Sequence, residues 1–562
     1  MFPNRPNKRE PGETPIHAGA NVGSGSSRGN RLGLFRRFAS LIAIGVLVGS
    51  CAFKVGPDYD TPEAAVAENW IEGDDPQIVS EPADHSDWWT VFDDPVLNNL
   101  IQTAYAQNLT LQSAGLRVLE ARAVRGISYG AQFPQLQQAR GSYSQNQLST
   151  ETPNQKFLDH SVSFWSFGFD TAWEVDFWGR FRRGVEAADA NLLASIANYD
   201  DVLVSLLADV AATYVQIRTF EERIALAIQN AQLQQRSFEI ARVRNRNGLV
   251  TELDVTQARS ILRNTQALIP VLQAGRRQAR NALSVLLGAP PGGLEDILGG
   301  RRPIPTAPPE VVVGAPADLL RRRPDVRRAE RQLAAQSAII GIARADLFPR
   351  FSLAGSVSID SQSFTNLFTP TAVAGFVGPS FRWDILNYGR LKNRVRVEDA
   401  RFQASISFYE NTVLRANQEV ENAIIGYLKA QEQVEFLTDS VAASQRSIKI
   451  ASNQYREGLV DYIRVLDSQR FLVQQEDQLT SARGAIALNL IGMYRALGGG
   501  WQIRQGDDFA PDDIQQQMRK RTDWGDILKY QPDDDNDQSK IPTDPDEAAP
   551  PASVEAPLPP TS

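Results

Sequence analysis

The chain has 562 residues, room for about three or four domains, yet it carries one Cys, three His and three Met. An internal disulfide is impossible, zinc, haem or iron–sulfur chemistry has too few soft ligands, and no cofactor or metal is expected. The formal net charge of −8 opposes nucleic acid, whose phosphates call for a basic surface, and 42% apolar residues suffice to bury a large core.

Residues 1–50 read as leader and signal peptide. The first 30 are rich in Gly, Pro, Ser and Asn, after which Arg31, Arg36 and Arg37 precede an apolar run from Phe38 to Val48. That run is shorter than the roughly 20 residues a helix needs to cross a bilayer. Val48-Gly49-Ser50-Cys51 resembles a bacterial lipobox. The resemblance implies that Cys51 is acylated and becomes the new N-terminus, the other reading being a buried free thiol. Ala52 stands where an inner-membrane retention signal would place Asp, which implies export to the outer membrane. Residues 51–95 are then a lipid-anchored N-terminal segment.

From there the chain is one unit written twice. A shift of 210 residues lays Trp173 on Trp383, Gly179-Arg180 on Gly389-Arg390, Gly248-Leu249-Val250 on Gly458-Leu459-Val460, and Leu287-Gly288 on Leu497-Gly498. A shift of 215 lays Phe133-Pro134 on Phe348-Pro349. The first repeat occupies 96–299 and the second 316–500. A linker at 300–315 lies within the Pro/Gly-rich stretch Gly288 to Pro316. Each unit reads as helix, two strands, helix, turn, helix.

The strands come first in each unit. Phe167, Phe169, Thr171, Trp173 and Val175 alternate with Gly168, Asp170, Ala172 and Glu174, and Phe351, Leu353, Gly355, Val357 and Ile359 alternate with small polar residues. Trp165, Trp173, Trp178, Trp383 and Tyr388 cluster near their ends. An apolar and a polar face with aromatics at the rim is the pattern of a transmembrane β-barrel, a soluble sandwich being the alternative. Four strands per chain cannot close a barrel, which needs about eight, so two chains would supply eight or three would supply twelve.

The segments 183–247 and 393–457 lack Pro and are dominated by Ala, Leu, Gln, Arg and Glu, which predicts helices of about 65 residues and roughly 95 Å. Their narrow apolar stripes suit helices packed side by side in a sheath. Gly248 and Gly458 fit C-caps, after which a helix returns antiparallel. No mature segment has 18 consecutive apolar residues, which excludes a helical inner-membrane transporter. Residues 501–562, with Asp533-Asp534-Asp535, Asp544, Asp546 and Glu547, read as an acidic, Pro-rich disordered tail.

Arg322-Arg323-Pro324-Asp325-Val326-Arg327-Arg328-Ala329-Glu330, continued to Ala343-Arg344-Ala345-Asp346-Leu347-Phe348-Pro349, and Val55-Gly56-Pro57-Asp58-Tyr59 after Cys51 closely resemble the outer membrane factors, the TolC-like channels, in their lipoprotein NodT-type branch. The resemblance spans about residues 51–500. It implies an α+β membrane protein and a homotrimer whose twelve strands close one barrel in the cell outer membrane, continued into the periplasm by the long helices. It also implies a periplasmic adaptor and an inner-membrane pump, usually of the resistance–nodulation–division type, exporting small molecules. A channel for type I protein secretion uses the same fold. Enzyme activity is not expected: His17, His85 and His160 stand outside any HExxH or nucleophile-elbow context and read as surface residues.

The same resemblance makes the turns at Gly248 and Gly458 a periplasmic gate. It implies that Asp254 bonds across the tip to Tyr455 and that Asp467 is an aperture carboxylate. Ile463, four residues earlier on the same helix face, would supply an apolar ring, and three Asp467 side chains would attract cations and repel one another. As an ordinary solvated helix residue Asp467 would look the same. Two departures bear on this gate: Arg464 sits where a second carboxylate can occur, and Val460 where a gate Arg can occur. Arg464 is placed to pair with Asp254 or Asp467 at about 0 to 1 kcal/mol.

Overall fold

The computed structural model describes residues 53–81, 84–149, 161–318 and 322–531, and the compact unit begins at Lys54. Cys51, the leader, His160 and everything beyond 531 lie outside the described residues.

Two helices dominate, α3 (Arg180–Arg246) and α6 (Arg390–Arg456), 67 residues each and offset by the 210 of the repeat. At 1.5 Å per residue each is about 100 Å long. Each starts after a glycine with positive φ, Gly179 or Gly389, and each is followed by a 35-residue return helix, α4 (Glu252–Leu286) or α7 (Tyr462–Ala496). Shorter helices precede them: α1 (Pro95–Gln107) and α2 (Leu109–Gly130) in the first unit and α5 (Pro324–Ala345) in the second. The apolar middle of α3, including Leu203, Leu207, Val210, Tyr214 and Ile217, is buried in the main core. α5 is packed between α3 and α6.

Apart from a short parallel pair, Ile78–Val79 with Val311–Val312, four strands make one antiparallel sheet in chain order: β1 (Leu136–Gln147), β2 (Ser161–Val175), β3 (Arg350–Ser361) and β4 (Val373–Arg382). The units join at β2–β3, where Phe167 faces Ile359, Phe169 faces Val357 and Trp173 faces Leu353. This register gathers the apolar residues on one face, continued on β4 by Val373, Val377 and Phe381. The other face is polar: Arg140 pairs with Asp170 at 2.9 Å, and the Ser358 hydroxyl donates to Asp360 at 2.8 Å. β1 and β4 are open edges among the described residues. β1, Leu-Gln-Gln-Ala-Arg-Gly-Ser-Tyr-Ser-Gln-Asn-Gln, lacks the alternation that marked β2 and β3.

Both diagnostic motifs are clasps. The fully buried Arg183 holds Val55-Gly56-Pro57-Asp58: it donates to the carbonyls of Val55 (3.3 Å) and Gly56 (3.2 Å) and pairs with Asp58 (3.0 Å) and Glu186 (2.9 Å). Gly56 is required because a Cβ there would lie 2.5 Å from the Gly341 Cα, with φ at +108°. From this point the N-terminal segment runs along the helices, with Trp70 Nε1 donating to Gly314 O at 2.7 Å and the Ile71 N–H to Glu421 at 3.0 Å. In the second motif Arg323 donates to Ala496 O (2.6 Å), Asp325 (2.7 Å) and Glu419 (2.7 Å). Arg327 meets the buried Asp200 of α3 at 2.8 Å, Arg504 joins the same carboxylate, and the Arg327 guanidinium lies 4.5 Å over the Trp501 ring.

Two expectations need correction. The tail is not disordered from 501. Trp501–Arg504 form a 3-10 turn and Asp512–Arg521 form α8, while Ala510, Met518 and Leu528 bury Leu119 of α2. Arg122 donates to the carbonyls of Ile527 (2.7 Å) and Lys529 (2.9 Å). His85 is also not a surface residue: it is 6% exposed, its ring 5.6 Å from that of Tyr494. Burial first, then the Arg322 charge, lowers its pKa to about 4, with Asp84 opposing.

Candidate functional site at the helix tip

The two turns are near copies. Gly248 (φ +72°) and Leu249 return their N–H groups to Asn245 and Arg244 at 2.9 Å, and Gly458 (φ +79°) and Leu459 return theirs to Tyr455 and Gln454 at 3.1 and 2.9 Å. A residue with a Cβ would strain this backbone. The next helices start differently. Asp254 accepts from the Thr251 N–H and from its hydroxyl, each at 3.1 Å, a capping box on α4. α7 has Arg464 at the matching position and lacks that acceptor.

An apolar knot ties the four helices here, with Phe238 from α3, Leu262 from α4, Tyr455 from α6 and Tyr462 and Leu466 from α7; Val460 packs against it. The Tyr455 and Tyr462 rings are 4.9 Å apart. The expected hydrogen bond from Tyr455 to Asp254 is not made among the described residues; Asp254 Oδ2 accepts from Thr251 instead. Neither buried tyrosine hydroxyl has a hydrogen-bond partner among the described residues. Burial raises the pKa of both; the Asp254 charge adds to this, and at Tyr455 Arg244 opposes it, so both hydroxyls stay protonated in neutral solution.

The contact that joins the units at the tip is one the sequence reading missed. Arg244 lies with its guanidinium 4.5 Å over the Tyr455 ring and donates through Nη1 to the Tyr455 carbonyl at 2.5 Å. Its repeat counterpart is Gln454, so the mismatch of a cation against an amide four residues before each turn glycine was the available signal. Further along, Ser237 accepts from Gln469 (2.7 Å), Asn230 donates to Glu476 (2.7 Å), and Arg223 grips Asp477 with two bonds at 2.8 and 3.0 Å.

Ile463, Arg464 and Asp467 occupy the exposed face of α7, opposite the buried Tyr462, Val465 and Leu466. Asp254, Arg464 and Asp467 form no ion pair with one another among the described residues.

The outer membrane efflux protein family matches residues 100–289 and 315–499, the two repeats. Nodulation protein T of Rhizobium leguminosarum bv. trifolii is 30% identical over 81% of this chain and 96% of its own length. The probable efflux pump outer membrane protein TtgC of Pseudomonas putida is 30% identical over 83% and 96%. Among solved structures, the outer-membrane channel OprN superposes with a TM-score of 0.76 at 35% identity, covering 80% of this chain and all of that one. The channel MtrE of Neisseria gonorrhoeae, in its open state, gives 0.69 at 28% identity over 80% and 98%. With matched repeats, a sheet of one apolar and one polar face, and helices too long for a globular core, the chain belongs to the outer membrane efflux protein family and is an outer membrane efflux channel.

Proposed function

We propose that three copies close their sheets into one twelve-stranded barrel and their helices into a periplasmic conduit, through which an adaptor and an inner-membrane pump discharge small molecules. The observation that carries this is the sheet itself, apolar on one face, polar on the other and open at β1 and β4. In lipid an unpaired edge leaves backbone groups unsatisfied at several kcal/mol each, so such a sheet is stable there only when closed. Relatives named for toluene, pyoverdine and cation export support a small-molecule or ionic cargo over a secreted protein. The chain supplies a passive path, and the pump supplies energy and choice of cargo.

The tip is the gate. Arg244 and Tyr455 hold the helix pairs together, Asp254 starts α4 and lends its charge to the tyrosine pair, and Ile463, Arg464 and Asp467 line the narrowest ring. Arg464 offsets the Asp467 ring, which leaves little cation preference. Cys51 carries the lipid. In support, Val48-Gly49-Ser50-Cys51 resembles a lipobox and closes an apolar run.

Native mass in mild detergent tests the assembly. Three times the mature chain, with migration that shifts on heating, is the expected result, and a monomer that conducts ions would refute it. Labelling with a palmitate analogue, lost in Cys51→Ser, tests the anchor.

A further inference from the structure

We infer that Tyr388 docks onto Phe133 and Pro134 of a second copy of this chain, joining copies head to tail. This rests on the assembly proposed above and names the contact that builds it.

The repeat supplies the argument. Within the units one contact occurs twice: Trp173 Nε1 donates to Gln132 O, and Trp383 Nε1 to Leu347 O, each at 3.0 Å. These pairs are related by the shifts of 210 and 215, so the shifts map contacts as well as letters. A second contact joins the first unit to the second. Trp178 stacks on Phe348 with centroids 4.5 Å apart and planes at 23°, and its Nε1 donates to Pro349 O at 2.9 Å. The same shifts carry Trp178 to Tyr388, and Phe348-Pro349 back to Phe133-Pro134. One chain cannot make this third contact, since its two halves lie at opposite ends of the sheet, after β4 and before β1.

Both halves are bare. Tyr388 is 99% exposed and Leu386 beside it 86%, and Tyr388 has a positive φ of 51°, whereas its counterpart Trp178 is half-buried with an ordinary backbone. Phe133 is 53% exposed, and Val124 and Ile127 on the preceding helix are exposed too. A tyrosine supplies the ring and the donor that Trp178 supplies, and a phenylalanine and a proline carbonyl wait on the other side. Because the two halves are different surfaces, the contact is heterologous and must close into a ring.

Double variant Tyr388→Cys with Phe133→Cys, treated in outer membranes with a short bismaleimide, should give covalent dimers and trimers and nothing larger. Each single variant, which retains Cys51, should stay monomeric on a denaturing gel, and the in-chain pair Trp178→Cys with Phe348→Cys should take up the reagent and remain monomeric there. Tyr388→Ala should lower the temperature at which the native trimer dissociates, and Tyr388→Trp should restore it. If the trimer persists with no cross-link and an unshifted dissociation temperature in Tyr388→Ala, the contact is wrong. If the unmodified protein is itself not a trimer, the assembly proposal fails with it.

Discussion

Arg244 of the first unit sits 4.5 Å above the Tyr455 ring of the second and donates to the carbonyl of the same residue, so one side chain clamps the two helix pairs at the tip. The tyrosine carbonyl also accepts from the Gly458 N–H at 3.1 Å, which ties the clamp directly to the turn.

Replacing Arg244 by Ala removes a half-buried cation–π contact and a charge-assisted hydrogen bond, together about 1 to 3 kcal/mol. If the tip is the gate proposed above, it should loosen, and cells carrying the variant should leak large antibiotics inward. Unchanged antibiotic sensitivity at equal protein levels would remove Arg244 from the gate.

Tyr455→Phe should be close to neutral, because the hydroxyl it deletes has no partner among the described residues. Asp254→Ala should instead cost about 0.5 to 2 kcal/mol through loss of the α4 cap. Hydrogen exchange near Thr251 should speed up in the Asp254 variant alone. Equal effects of the two variants would mean that they bond to each other after all.

Much of the fold was legible in the residues. The 210 shift reproduced both long helices and both return helices: Pro-free runs ending at Gly248 and Gly458 write the long ones, and the return helices follow, α4 running through Pro270. β1 was harder to place, because a strand with glutamines on both faces has no period to read. The segment 501–531 was obscured by averaging with the acidic stretch beyond it, although Trp501, Phe509, Met518 and Leu528 all turn inward. At the tip, the spacing located the turns, but the partner of Tyr455 depended on which helix faces which, and only packing decides that between Asp254 and Arg244.

Asp200 is fully buried and shared by Arg327 and Arg504. Asp200→Ala leaves two buried cations without their common carboxylate, at a cost of about 3 to 5 kcal/mol. The expected outcome is a markedly lower melting temperature and release of the 501–531 segment to protease. Wild-type protease resistance would show that the clasp contributes little.

His85 makes stability depend on pH. Its pKa is about 4 in the folded chain against 6.5 when unfolded, so between these values the unfolded chain binds more protons and stability falls as pH falls. The loss begins near pH 6.5, is complete below pH 4, and amounts to roughly 3 kcal/mol. The difference in melting temperature between wild type and His85→Gln should therefore change from pH 7.5 to pH 4.5 in favour of the variant. Parallel pH profiles would contradict a neutral, buried His85.

Single-channel recording in planar bilayers tests the gated channel most directly. If the proposed gate is right, purified wild-type protein should insert and conduct weakly, and Arg244→Ala should raise the conductance step. Arg464→Ala should shift reversal potentials toward cations without that rise. Inserted protein whose conductance and selectivity are the same in all three would contradict a gate at this tip.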